Sequence, residues 1–188
     1  MLLHGTGGNE SDLIELGRNL DRDAALLSPR GKVLENGMPR FFRRFSEGVF
    51  DLEDLKHRTH ELADFITAAA RHYEFATDKI VAVGYSNGAN IAASLLLLRP
   101  EILHGAILFR AMVPFELESW PKLAGKRVLI LAGDADPIIP RSQTDRLAEV
   151  LREAGAKLTV RFARAGHGLI PAEIESAKSY LEQIMKSA

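Results

Sequence analysis

The chain has 188 residues, 46% hydrophobic and 26% charged, a balance that suits one soluble globular domain over residues 1–188. Its 24 Lys and Arg offset 25 Asp and Glu, so no general attraction to nucleic acid or to an anionic membrane is implied. Cysteine is absent, which excludes disulfides, thiolate zinc sites and cysteine nucleophiles. The longest apolar stretch, Ile91 to Leu98, is broken by Ser94 and falls far short of the ~20 residues that cross a bilayer. No signal peptide is legible, and a cytoplasmic location is expected.

In chain order, Leu2-Leu3 read as the end of a first strand, and His4-Gly5-Thr6-Gly7-Gly8 as a turn. A helix follows over Glu10–Leu20, then a strand over Ala24–Ser28. Arg30–Phe50, rich in Gly, Arg and Phe, reads as one long loop. A long helix covers Leu52–Tyr73, with Leu55, Leu62, Phe65, Ile66 and Ala69 as its buried stripe. Strands are expected over Lys79–Gly84, Gly105–Phe109, Arg127–Gly133 and Lys157–Ala163, and helices over Asn87–Leu98, Arg141–Ala154 and Ala172–Lys186. Most strands are apolar on successive positions, as strands covered on both faces are; the last alternates and reads as an edge. Such alternation of strand and helix predicts an α/β fold with a mainly parallel sheet. The abrupt opening predicts a sheet lacking its N-terminal strands, with an exposed edge that recruits a second copy into a homodimer.

Gly84-Tyr85-Ser86-Asn87-Gly88 sits where a strand meets a helix. Either Ser86 caps the helix, or the turn is a nucleophile elbow that presents its hydroxyl at the carboxyl end of the sheet. A serine needs a base, and the base an orienting carboxylate. His167, between Gly166 and Gly168 after the last strand, is the best placed of six histidines. His57, His60 and His72 lie on the long helix, His104 in a connection, and His4 braces its own turn. His57-Arg58-Thr59-His60-Glu61 lacks the H-E-x-x-H order, so no metal site is expected. Asp134 and Asp136 both follow the Arg127–Gly133 strand and are both candidates for the carboxylate. The order serine, aspartate, histidine is that of the α/β-hydrolases. The backbone N–H of Asn87 and of Thr6 would hold an oxyanion.

LLHGTGG, SPRG, GYSNGANIAASLL, GDADPIIP and AGHGL, in this order, resemble the phospholipase/carboxylesterase branch of the α/β-hydrolases. That branch includes small bacterial carboxylesterases, acyl-protein thioesterases and relatives of dienelactone hydrolase. The resemblance implies Ser86 as nucleophile, Asp136 rather than Asp134 as acid, His167 as base and Thr6 as an oxyanion donor. It implies a serine esterase that needs no cofactor and acts on a small-molecule ester, with thioester or lysophospholipid hydrolysis, or a non-catalytic scaffold, as the alternatives. Phe41, Phe42 and Phe45, with Met112 and Val113, are expected either to wall an apolar substrate pocket or to pack on the core. Arg40, Arg43 and Arg44 are expected either to attract an acidic group on a substrate or, the favoured reading, to form a solvated face.

Overall fold

Strands of unbroken apolar sequence need cover on both faces, and this chain provides it with helices. The computed structural model describes residues 1–116, 119 and 121–186. Its elements are β1 (Leu2–Leu3), α1 (Ile14–Leu20), β2 (Val33–Glu35), β3 (Met38–Arg40), β4 (Arg44–Ser46), β5 (Val49–Phe50), α2 (Leu52–His72), β6 (Val81–Tyr85), α3 (Asn87–Leu98), β7 (Gly105–Phe109), β8 (Arg127–Gly133), α4 (Arg141–Glu153), β9 (Lys157–Ala163) and α5 (Pro171–Met185). Five strands pair in parallel in the order β1-β6-β7-β8-β9.

The two-residue period of a strand sorts the core into two halves. Ala82, Ala106, Leu108, Val128 and Ile130 face one side, against Leu55 and Ile66 of α2, Leu95 and Leu96 of α3, and Leu147 and Leu151 of α4. Val83, Ile107, Phe109, Leu129 and Leu131 face the other, against Leu16 and Leu20 of α1 and Leu181 and Ile184 of α5. This is the expected α/β sandwich, and β9 is the expected edge.

Four expectations are corrected. Ala24–Ser28 forms no strand: β1 offers only two residues, so no ladder propagates, and the segment meets β1 through the bond in which Leu2 N–H donates to Leu27 O at 2.8 Å. That bond covers part of the outer side of β1. Residues 30–50 are not one loop but two hairpins, β2–β3 and β4–β5. The first turns on Asn36 and Gly37, at φ 51° and 79°, which is the geometry of a two-residue hairpin turn. Phe65 is exposed, and Thr59, Ala63 and Ala70 complete the buried side of α2 instead. Helix α1 also begins four residues later than expected, because the Asn9 side chain captures Ser11 N–H at 2.8 Å and holds a turn there.

Candidate active site

The strand β6 runs into α3 through a turn with little room in it. A methyl group on Gly84 would lie 2.6 Å from Gly88 O, and one on Gly88 only 2.0 Å from Leu3 O. The absence of both side chains lets β1, β6 and α3 meet at one point. Ser86 stands there at φ 53°, ψ −113°, outside the regions that L-residues favour. Its N–H donates to Phe109 O at 2.9 Å and its carbonyl accepts from Asn90 N–H at 3.0 Å, so strand and helix fix the strained residue from both ends. Its side chain makes no capping bond to α3, which sets aside the helix-cap reading. A Gly88→Ala protein is expected to lose about 3 kcal/mol or more of stability, read from urea unfolding, because the clash is with backbone that cannot swing aside.

The Ser86 hydroxyl meets His167 Nε2 at 3.0 Å, and His167 Nδ1 meets Asp136 Oδ2 at 2.8 Å. The other Asp136 oxygen accepts from Ile138 N–H at 2.8 Å and Ile139 N–H at 3.1 Å. Burial, the largest single influence on this carboxyl, pushes its pKa up. The Ile138 N–H, the His167 ring and the Ile139 N–H together outweigh burial and hold it below the usual carboxylate value. An ionised Asp136 fixes the proton of His167 on Nδ1 and leaves Nε2 free to accept from the serine. Asp134 is elsewhere: its side chain is exposed and lies 3.6 Å from Arg141.

The turn after β1 borders this relay. His4 is buried, with Nε2 accepting from Gly31 N–H at 3.0 Å, so its proton is on Nδ1 and is donated to Gly5 O at 2.6 Å. It braces the turn, as expected. Thr6 is half-buried, and its hydroxyl accepts from Arg40 at 2.7 Å. Asn87 is buried and its side-chain oxygen accepts from Phe41 N–H at 2.7 Å. The N–H groups of Thr6 and Asn87 donate to no other group among the described residues.

The aromatic and basic residues of the 30–50 segment divide. Phe41 and Phe42 belong to the core, and Phe42, wholly buried and edge-on to Phe50 at 5.0 Å, offers no surface to a substrate. Phe41 lines a cavity of about 220 Å³ with Leu62, Phe65 and Ile91, between α2 and α3. Met112 is buried and Val113 packs against the core, whereas Phe45 is 76% exposed. The apolar hairpin residue over the turn is Met38, whose Sδ lies 3.6 Å from where a methyl on Gly7 would stand. Arg40 is not on a solvated face: it is buried, pairs with Glu35 at 3.0 Å and donates to Phe42 O. Arg43 pairs with Asp51 and Asp54, and Arg44 with Glu35.

Two residues at the site escape sequence reasoning. Tyr85 donates from its hydroxyl to His167 O at 3.0 Å, with its ring 5.4 Å from the imidazole. Arg110, fully buried just after β7, bonds Gly166 O, Gly168 O and both oxygens of Glu173. A charged residue ending an apolar strand is the signal for it.

The profile of the dienelactone hydrolase family matches residues 44–186. MhqD of Bacillus subtilis (strain 168) is 51% identical over 183 residues, which span 97% of this chain and 92% of MhqD. Among solved structures, the Bacillus cereus carboxylesterase is 50% identical with a TM-score of 0.96, over 97% of this chain and 86% of that one. The structure of YahD with malic acid is 32% identical with a TM-score of 0.91, over 97% and 91%. No described helix is long and apolar enough to cross a membrane. A family profile over most of the chain, and half identity to relatives along nearly all of it, establish that this protein belongs to the dienelactone hydrolase family of α/β-hydrolases.

Proposed function

We propose that this hydrolase is a serine carboxylesterase of small carboxylic esters, working through an acyl-enzyme. The observation that carries the reading is the unbroken relay Ser86–His167–Asp136 at the carboxyl end of the sheet. His167 Nε2 takes the proton of Ser86 as Oγ attacks the ester carbonyl. The tetrahedral oxyanion rests on the N–H groups of Asn87 and Thr6, and the imidazolium on Asp136. The intermediate collapses, the ester C–O bond breaks, and His167 returns its proton to the leaving alcohol. Water, deprotonated by the same nitrogen, then attacks the acyl-serine and releases the acid.

The name of the Bacillus cereus relative supports ester rather than other acyl chemistry. Met38 beside the oxyanion turn favours an apolar group on the substrate. Labelling with a fluorophosphonate tests the reading: the probe is expected on the peptide carrying Ser86, and a panel of aryl esters of graded acyl length then ranks substrates. An unlabelled, folded protein would overturn it.

A further inference from the structure

His167 rides on a loop that should hold nothing still. Residues 164–170 join β9 to α5, and the histidine has glycine on both sides. Space does not demand those glycines: a methyl on Gly168 would meet no atom within 4 Å, and one on Gly166 only Ala135 O at 3.7 Å. Two glycines with such freedom make a mobile segment unless something outside it pins the backbone.

Ala135 N–H holds the start of the loop, donating to Ala165 O at 3.0 Å, but around the histidine itself the pin is a guanidinium. Arg110 Nε donates to Gly166 O at 2.9 Å and Nη2 to Gly168 O at 2.6 Å, so one planar group grips the carbonyls before and after the histidine. Tyr85 holds the carbonyl between them, at 3.0 Å. The fork is itself oriented. Nη1 and Nη2 meet the two oxygens of Glu173 at 2.5 and 2.8 Å, and Nη1 also meets Leu131 O at 3.2 Å. Glu173, also buried, accepts from Ile170 N–H at 3.1 Å and so ties the clamp to the start of α5. Arg110 Nε further lies 3.9 Å from Asp136 Oδ2.

The backbone pays nothing back for this arrangement locally. Arg110 sits at φ 57°, an uncommon conformation for a side chain of this size. A buried ion pair, for its part, is often no more stabilising than apolar residues of the same volume. Three loop carbonyls in a row, each held by a residue at the end of a sheet strand, give the pair a purpose that stability does not.

We propose that Arg110, oriented by Glu173, is the positioning residue of the site, holding His167 at once within reach of Ser86 and of Asp136. It touches no substrate and acts only through the loop. The inference rests on the esterase reading above for its kinetic readout, but not for its spectroscopic one. Lysine at this position keeps the charge and loses the fork, which alone spans two carbonyls and a carboxylate. Glutamine at position 173 keeps the shape and weakens the orientation of the fork.

Wild type, Arg110→Lys and Glu173→Gln should be compared by aryl-ester kinetics and by the low-field proton resonance of the His167 Nδ1–H bonded to Asp136. Arg110→Lys is expected to lose about 100-fold in kcat with KM within about threefold, the effect of a misplaced reacting group, and to broaden or lose the resonance. Glu173→Gln is expected to lose about tenfold in kcat, again at nearly constant KM, with the resonance displaced. A residue that merely stabilises the fold would lower the melting temperature and leave both readouts of the folded protein unchanged, and that result overturns the proposal. If Arg110→Lys does not fold, Glu173→Gln decides by the same two readouts. A wild type that neither turns over ester nor takes the fluorophosphonate ends the esterase reading instead, and the resonance alone then judges the clamp.

Discussion

Ser86→Ala is expected to fold as the parent does and to lose ester turnover by about 10⁶-fold, because nucleophile, base and acid act as one unit. The alternative role for Ser86, capping α3, would give the opposite pattern of stability lost and turnover kept, yet its side chain makes no capping bond. Among the described residues the oxygen instead has one partner, His167 Nε2 at 3.0 Å. In the proposed mechanism the donors on Asn87 and Thr6 remain after its removal, and a residual acceleration over water of about 10³-fold is expected. A second substitution separates chemistry from backbone. Ser86→Gly removes the same oxygen but relieves the conformation at φ 53°, so it should be equally inactive and about 1 kcal/mol more stable than Ser86→Ala. Aryl-ester kinetics and urea unfolding on the three proteins check both halves. Wild-type turnover by purified Ser86→Ala would end the serine mechanism.

What could be read from the sequence follows from how local each cause is. The strands β7, β8 and β9 and the helix α3 have the expected bounds, because their signals are local: an apolar run ended by Arg110 or by Gly133, alternation over Lys157–Ala163, and an alanine- and leucine-rich run stopped before Pro100. Ser86 and His167 were legible for a similar reason: each lies between glycines at the carboxyl end of a strand. The hairpins of residues 30–50 were missed although Asn36-Gly37 is a strong turn pair, since strands of three residues leave almost no alternation to see and Pro39 sits inside one of them. The solvated face expected of that segment holds for Arg43, which is exposed, but not for Arg40, which the fold buries beside Glu35, since only the fold brings Glu35, Asp51 and Asp54 to these residues. Phe41 and Phe42 looked available for a substrate for the converse reason, as aromatic residues in a presumed loop, until the hairpins turned them into the core. Arg110 and Glu173 are 63 residues apart, and no spacing rule joins them.

The choice between two neighbouring aspartates is the second large effect. Asp136→Asn is expected to lower kcat/KM by about 10⁴-fold, whereas Asp134→Asn should change it less than about threefold. The difference lies in where β8 releases each residue. Asp134 N–H still bonds Ala163 O at 2.8 Å, continuing the ladder to β9, and its carboxylate turns outward toward Arg141. Two residues on, Asp136 precedes Pro137, and its side chain is turned in, 1% exposed, with one oxygen on His167 and the other on two N–H groups of its own loop. An asparagine there can keep the loop bonds through its oxygen but presents an N–H to the imidazole, which selects the wrong tautomer and protonates Nε2, the atom that must accept from Ser86. The same lowered carboxyl also predicts how acid acts. Its folded pKa lies below its unfolded value of about 3.9, so it contributes stability at neutral pH that is lost as pH falls through those two values. Asp136→Asn should therefore show a shallower loss of stability between about pH 5 and pH 2 than the parent, measured by urea unfolding at each pH. A larger rate loss in Asp134→Asn than in Asp136→Asn would show that the carboxylate bonded to His167 is not the one the reaction uses.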